Sequence, residues 1–258
     1  MHILLLLLLI IPILRLLTAL IWPGLLKRIE GRRAEATLTH HLGPVREDAR
    51  LEQIGERLLM ARPTDASFAV IPKMDNAVAL PNGRILVGEQ MLQRIGHDPD
   101  MVAGLLAHEL GHLHHKHLIS RIQTLALARF VLGIVGEGIF RRLINNQIAT
   151  LIIQGFSRRQ ETDADETALN LMVDAGYDPA GMVRLLEQLK RAHPRQRPTR
   201  LSSHPDSDAR IQHIREILKL PTDGSPKRSV PATRPGPGPG PGPLDEPMNN
   251  VLPFPGAR

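Results

Sequence analysis

His108, Glu109 and His112 stand in the run LLAHELGHLHHKH, residues 105–117, which places five histidines and one glutamate within ten positions. The first three residues make the pattern H-E-x-x-H. On a helix, side chains four positions apart stack on one face, so the His108 and His112 imidazoles can reach a single cation. Glu109 is turned from His108 by ~100°. That sets its carboxylate beside such a cation and not on it, where a base drawing a proton from an attacking water must stand.

Taken alone, these five letters fit a solvated helix face as well as a metal site. A third ligand separates the two readings. The longer run H-E-x-x-H-x-x-G-x-x-H would need Gly at 115 and His at 118, where the chain has His115 and Leu118. A third histidine of that kind is therefore excluded, and His114, His115 and His117 are expected to be solvated or at most supporting. A carboxylate from a later helix is the other source. In SRRQETDADETA, residues 157–168, Glu161 is followed one turn later by Asp165. Glu161 would bind the metal, while Asp165 accepts the far N–H of a ligand histidine and fixes its tautomer. Ala164 and Ala168, on the same face, would let this helix come close to the histidine helix. By itself the segment is an ordinary acidic face. Paired with H-E-x-x-H, it completes a site for a single zinc ion.

The elements that must hold these groups follow from flanking signals. Asp98 before Pro99 is a helix start, with the histidine helix after it. Ser157 and Gln160 make a capping box opening the helix of Glu161, which closes near Gly176. Asp178–Pro179 starts a further helix to about Arg191, and a last helix is expected over 206–219. Upstream, residues 44–61 carry apolar side chains at 51, 54, 58 and 59, the spacing of an amphipathic helix. SFAVIP and NAVALPNGRILVG read as short strands, with a turn at Pro81–Asn82–Gly83. Residues 118–155 are apolar and helical in pattern. Arg129, Glu137, Arg141 and Arg142 interrupt every window there, so a buried helical hairpin is expected and not a membrane span.

At 258 residues the chain has room for one substantial domain and appendages. With no cysteine, disulfides, iron–sulfur clusters and thiolate zinc sites are excluded. The net charge is +6, yet aromatics are only 3%. Stacking platforms for single strands are poorly supplied, and no nucleic-acid partner is expected. Ile3 to Leu26 is apolar except for Arg15, Thr18 and two prolines, long enough for a bilayer that takes roughly 20 residues. The reading is an uncleaved anchor or a segment lying in the membrane, with lipid as its partner. A cleaved signal segment competes, but the stretch before the apolar run has no Lys or Arg, and AEA at 34–36 lies beyond a charged stretch. Four units result: a membrane segment 1–26, a basic juxtamembrane linker 27–43, a catalytic domain 44–220 and a disordered Pro/Gly-rich tail 221–258.

HELGH at 108–112, SRRQETDAD at 157–165, GYDP at 176–179 and LSSHPDSDARI at 201–211 follow in that order. Together they resemble the HtpX-like and CAAX-prenyl-protease group of zinc metallopeptidases (family M48, gluzincins), most like the bacterial envelope and mitochondrial Oma-type members. The resemblance covers about residues 45–219. It implies an α+β, mostly helical zincin-like fold with a small antiparallel sheet. It implies His108, His112 and Glu161 as zinc ligands, Glu109 as the base, and Asp165 supporting a ligand. His204, in the His–Pro motif, would lie near the zinc, as a resting cap or as an aid in the transition state. Arg210 would orient that loop or face the developing oxyanion. Asn76, Ala77, Val78 and Ala79 fall where the family has an edge strand that pairs with substrate backbone.

The expected function is a membrane-associated zinc metalloendopeptidase acting on misfolded, unfolded or membrane-associated proteins, at a bacterial-type inner membrane or envelope. The chain lacks the multiple spans of HtpX and the repeat domain of some envelope relatives, so their localisation and partners do not transfer. The competing readings are a zinc-stabilised membrane assembly factor without proteolysis and a basic lipid- or nucleic-acid-binding module. An intact base at Glu109 has no use in a structural metal site. Neither rival explains 108–112 and 161–165 together.

Overall fold

The apolar side chains at 85–87 decide how the sheet is built. Ile85, Leu86 and Val87 are all fully buried, and a strand that is apolar on both faces belongs in the middle of a sheet. The computed structural model describes residues 23–123, 156–192 and 207–221. In chain order these form α1 (Pro23–Leu42), α2 (Ala49–Ala61), β1 (Ser67–Ile71), β2 (Ala77–Ala79), β3 (Arg84–Gly88), α3 (Glu89–Ile95), α4 (Pro99–His114), α5 (Arg158–Asp174), α6 (Ala180–Ala192) and α7 (Ser207–Ile217). The architecture is α+β and mostly helical.

The strand order is β1-β3-β2. β2 and β3 form the expected antiparallel hairpin, with Val78 opposite Leu86. β1 pairs parallel with β3, Ala69 opposite Leu86. The sheet is therefore mixed, and not the antiparallel one expected. Turn signals report only which strand follows which. After Ile71 the chain reverses through Lys73, at φ 56°, and β2 is laid down at a distance that leaves room for β3 between them.

Capping residues set the helix starts. Asp98 accepts from the Asp100 and Met101 N–H groups, with Pro99 in the first turn, as the sequence predicts. Ser157 and Gln160 form the full capping box of α5. One boundary differs: α2 begins at Ala49, not at 44, because Asp48 takes the N-cap and accepts from Leu51 N–H. The residues before it are extended, and Arg46 bridges to Val70 of β1. α3 was not expected; it is anchored by buried Met91 and Ile95.

The main core lies between the sheet and helices α2, α4, α5 and α6, around Leu58, Ile85, Leu106, Met172 and Met182. Burying each such side chain contributes about 1.5–3 kcal/mol. The basic stretch from Lys27 belongs to α1, whose Ala34 and Leu38 pack with Leu80, Leu86, Leu118 and Ile122 in a second cluster. Among the described residues, no helix is long and apolar enough to cross a membrane. The apolar run before Pro23, most of the expected hairpin 118–155, His204 and the tail lie outside the described residues.

Candidate metal centre

Gly111 brings the two ligand-bearing helices together. A Cβ on it would sit 2.7 Å from the Ala164 carbonyl oxygen and 3.0 Å from the Ala164 Cα. Ala164 and Ala168, the small residues expected on α5, are both fully buried, and Ala164 lines the close approach. Glu161, one turn earlier on α5, is thereby set opposite His108 and His112 of α4.

The three side chains converge. His108 Nε2 lies 3.1 Å from His112 Nε2 and 3.5 Å from Glu161 Oε2. His112 Nε2 lies 3.6 Å from Glu161 Oε1. Four-coordinate zinc at 2.0–2.1 Å from its donors holds them ~3.3 Å apart, so the triangle has the size of a ligand set. All three residues are buried. Charge agrees with size. Glu109, Glu161 and Asp165 are buried carboxylates, faced by the buried guanidinium of Arg210. With both histidines neutral, two negative charges remain, which a divalent cation would neutralise. Among the described residues this is the one group of three or more such side chains able to hold a metal.

Supporting contacts surround the triangle. Asp165 Oδ1 accepts from His108 Nδ1 at 2.8 Å, which leaves the Nε2 lone pair for a metal. Arg210 of α7 donates through Nε and Nη2 to both Asp165 oxygens, at 2.8 and 2.7 Å. Its Nη1 lies 3.0 Å from Glu161 Oε2. Burial alone would raise the Asp165 carboxyl, but the Arg210 guanidinium and the His108 ring hold it at about 2. Burial works to lower Arg210, and the Asp165 and Glu161 carboxylates raise it above its ordinary value. Arg210 thus clamps the carboxylates of α5.

Glu109 points elsewhere, as the rotation along the helix requires. Its Oε2 accepts from the backbone N–H of Ala79 at 2.9 Å. β2 is the end strand of the sheet, and the antiparallel alternation turns the backbone groups of Ala77 and Ala79 away from β3. Ala77 is 0% and Ala79 7% exposed, so this edge is buried.

His117, expected to be solvated or at most supporting, is not solvated. It is buried, with Nδ1 2.9 Å from His112 Nδ1, whereas His114 and His115 are exposed as expected. Its i+5 position gives no helical-face signal. Phe156 stacks on the His112 ring at 4.0 Å between centroids, a contact between residues 44 positions apart that periodicity does not reveal.

A protein-family model, peptidase family M48, matches residues 45–218. Metalloprotease LoiP of Escherichia coli is 29% identical over 156 residues, 58% of this chain and 60% of that protein. Metalloprotease YcaL of Escherichia coli is 27% identical over 163 residues, 60% of this chain and 63% of that protein. Mitochondrial metalloendopeptidase OMA1 of Schizosaccharomyces pombe is 32% identical over 150 residues, 55% of this chain and 43% of that protein. The chain spans less than two thirds of the length of each of these relatives.

Proposed function

Because the chain belongs to peptidase family M48, we propose that it is a membrane-associated zinc metalloendopeptidase that cuts unfolded or membrane-associated protein chains. The observation that carries this is the donor triangle of His108, His112 and Glu161 with Glu109 beside it. His108, His112 and Glu161 would hold the zinc. Bound there, zinc supplies Lewis-acid chemistry, polarising a carbonyl and lowering the pKa of water.

The chain's own residues do the rest. Glu109, off the triangle, takes a proton at its carboxylate from the attacking water and returns it to the leaving amine. The Ala79 N–H, bonded to Glu109 Oε2, keeps that carboxylate aimed. Asp165 holds the tautomer of His108, and Arg210 holds Asp165 and Glu161 in register with each other. His204 is proposed as a resting cap on the site or as an aid to the developing oxyanion, on the strength of the His–Pro motif. Residues Asn76 to Ala79 are proposed to pair with substrate backbone, which gives affinity with little side-chain selection. That mode requires the buried β2 edge to be uncovered and the Ala79 N–H to pass from Glu109 to the substrate backbone. Membrane association is proposed from the apolar run Ile3 to Leu26, with lipid its partner and the catalytic domain 44–220 beside the bilayer.

The test is zinc content and cleavage of an unfolded protein by the full chain, compared across wild type, Glu109→Gln and His204→Ala. One zinc per chain is expected in all three, with cleavage by wild type or His204→Ala and cleavage lowered by ~10²–10⁴-fold in Glu109→Gln. Zinc without cleavage in any of them would favour an assembly factor. No zinc would overturn the site.

A further inference from the structure

The ligand histidines need different partners because α4 ends just beyond His112. In an unbroken helix, position 117 is rotated about 500° from position 112, or ~140° off its face. The chain does not continue unbroken. α4 stops at His114, Lys116 takes the left-handed conformation at φ 55°, and residues 117–123 are helical again. This one-residue reversal folds His117 back beneath His112. Its Nδ1 comes to 2.9 Å from His112 Nδ1, and the residue is 7% exposed.

The new position is braced. His115 stacks on the His117 ring, with centroids 5.2 Å apart and planes 12° from parallel. His115 Nε2 in turn lies 2.9 Å from Thr167 Oγ1 of α5, the helix that carries Glu161. The left-handed conformation at Lys116, strained in a non-glycine residue, is held by these contacts.

We infer that His117 is a positioning residue for His112: its Nδ1 accepts the Nδ1–H of His112 and so keeps the Nε2 lone pair on the donor triangle. This rests on the metal-site reading above. Only one proton fits between two Nδ1 atoms 2.9 Å apart. Were the His112 proton on Nε2 instead, it would point at His108 Nε2, 3.1 Å away, and His112 would be no ligand. His117 therefore does for His112 what Asp165 does for His108, with a neutral acceptor in place of a carboxylate. The two ligands are supported unequally, and the weaker support comes from a residue whose place depends on the turn at Lys116.

The test uses full-length wild type, His117→Leu, which removes the acceptor, and His117→Gln, which offers an amide oxygen. Zinc affinity is measured by competition with a chelator at fixed pH, beside thermal melting of the metal-free proteins. Imidazole nitrogen–proton correlation spectra of the zinc-bound wild type, read for coupling across the hydrogen bond, show whether the His112 Nδ1–H is bonded to His117 Nδ1. Expected are a zinc affinity weakened by ~10–100-fold in His117→Leu, recovery of most of it in His117→Gln, and coupling between the two Nδ1 atoms. Unchanged affinity in a folded His117→Leu, or a His112 Nδ1–H with no coupling to His117, would overturn the inference while wild type still bound one zinc. A wild type that bound no zinc would overturn the metal site itself and this inference with it. Should His117→Leu fail to fold, the coupling between the two Nδ1 atoms in the zinc-bound wild type decides alone.

Discussion

Glu109 Oε2 accepts the backbone N–H of Ala79 at 2.9 Å, so the residue beside the metal triangle is tied to the end strand of the sheet. The bond joins a helix position to a strand 30 residues earlier. It restrains a carboxylate that could otherwise swing toward the donor triangle. It also places the proposed base at the edge where substrate backbone is proposed to lie, so that a peptide on β2 would meet Glu109 and the metal together.

Glu109→Gln separates base from scaffold. The amide oxygen of Gln can still accept from Ala79, so folding and zinc content are expected to match wild type. Proton transfer is lost, and cleavage should fall by ~10²–10⁴-fold. Parallel measurement of metal content, melting and peptide cleavage checks this. A variant with wild-type turnover would remove Glu109 from the mechanism.

Gly111→Ala tests the helix contact. The added Cβ meets Ala164 backbone at 2.7 Å, and backbone cannot yield as a flexible side chain does. The two helices must part, at a cost of about 1–3 kcal/mol, carrying Glu161 away from the histidines. Weaker zinc binding is expected along with lower stability. Gly104→Ala, on the same helix, is the control: its Cβ would meet the Met182 sulfur at 3.3 Å, and denaturation should show a smaller loss. Equal effects on zinc affinity would contradict the assignment.

Arg210→Met should destabilise the metal-free protein strongly. The guanidinium is buried between Asp165 and Glu161, and removing one partner of a buried ion pair costs about 3–5 kcal/mol. Zinc should offset part of the loss, because it neutralises the same carboxylates. Denaturant unfolding with and without zinc measures both quantities. A variant as stable as wild type without metal would refute the clamp.

Asp98 gives a pH dependence outside the metal centre. Burial would raise its carboxyl, but Arg184, at 2.8 Å, and the first N–H groups of α4 lower it below the ordinary carboxylate value. A pKa depressed by folding adds stability above the unfolded value of ~3.9 and loses it as pH falls through the folded one. Asp98→Asn keeps an N-cap acceptor and has no charge to lose. At neutral pH the variant should be less stable than wild type, and the gap should close below about pH 4. Unfolding curves at several pH values, with metal removed from both, would show it. A gap independent of pH would contradict the linkage.

Much of the site was legible in the chain. H-E-x-x-H sets two imidazoles on one helix face and a carboxylate off it, whatever the fold, because helical geometry relates residues four apart. Asp98, Ser157 and Gln160 marked the helix starts for the same reason: a cap bonds to N–H groups within three residues. Glu161 with Asp165 could be chosen as the partner segment on chemical logic, a ligand and a tautomer-fixing acceptor one turn apart.

What tertiary structure decided is what connects distant segments. β3 lies between β1 and β2, which makes the sheet mixed, because a fully apolar strand is most stable with a neighbour on each side. Arg210 reaches Asp165 across 45 positions and holds the carboxylates of α5 together. His117 joins His112 only because Lys116 reverses the chain, a backbone choice stabilised by contacts to α5. The sequence by itself determined which atoms can hold a metal and which can move a proton, since those follow from residue type and helical spacing. The folded chain decided how those atoms are held, since that depends on burial and on partners far away along the polymer.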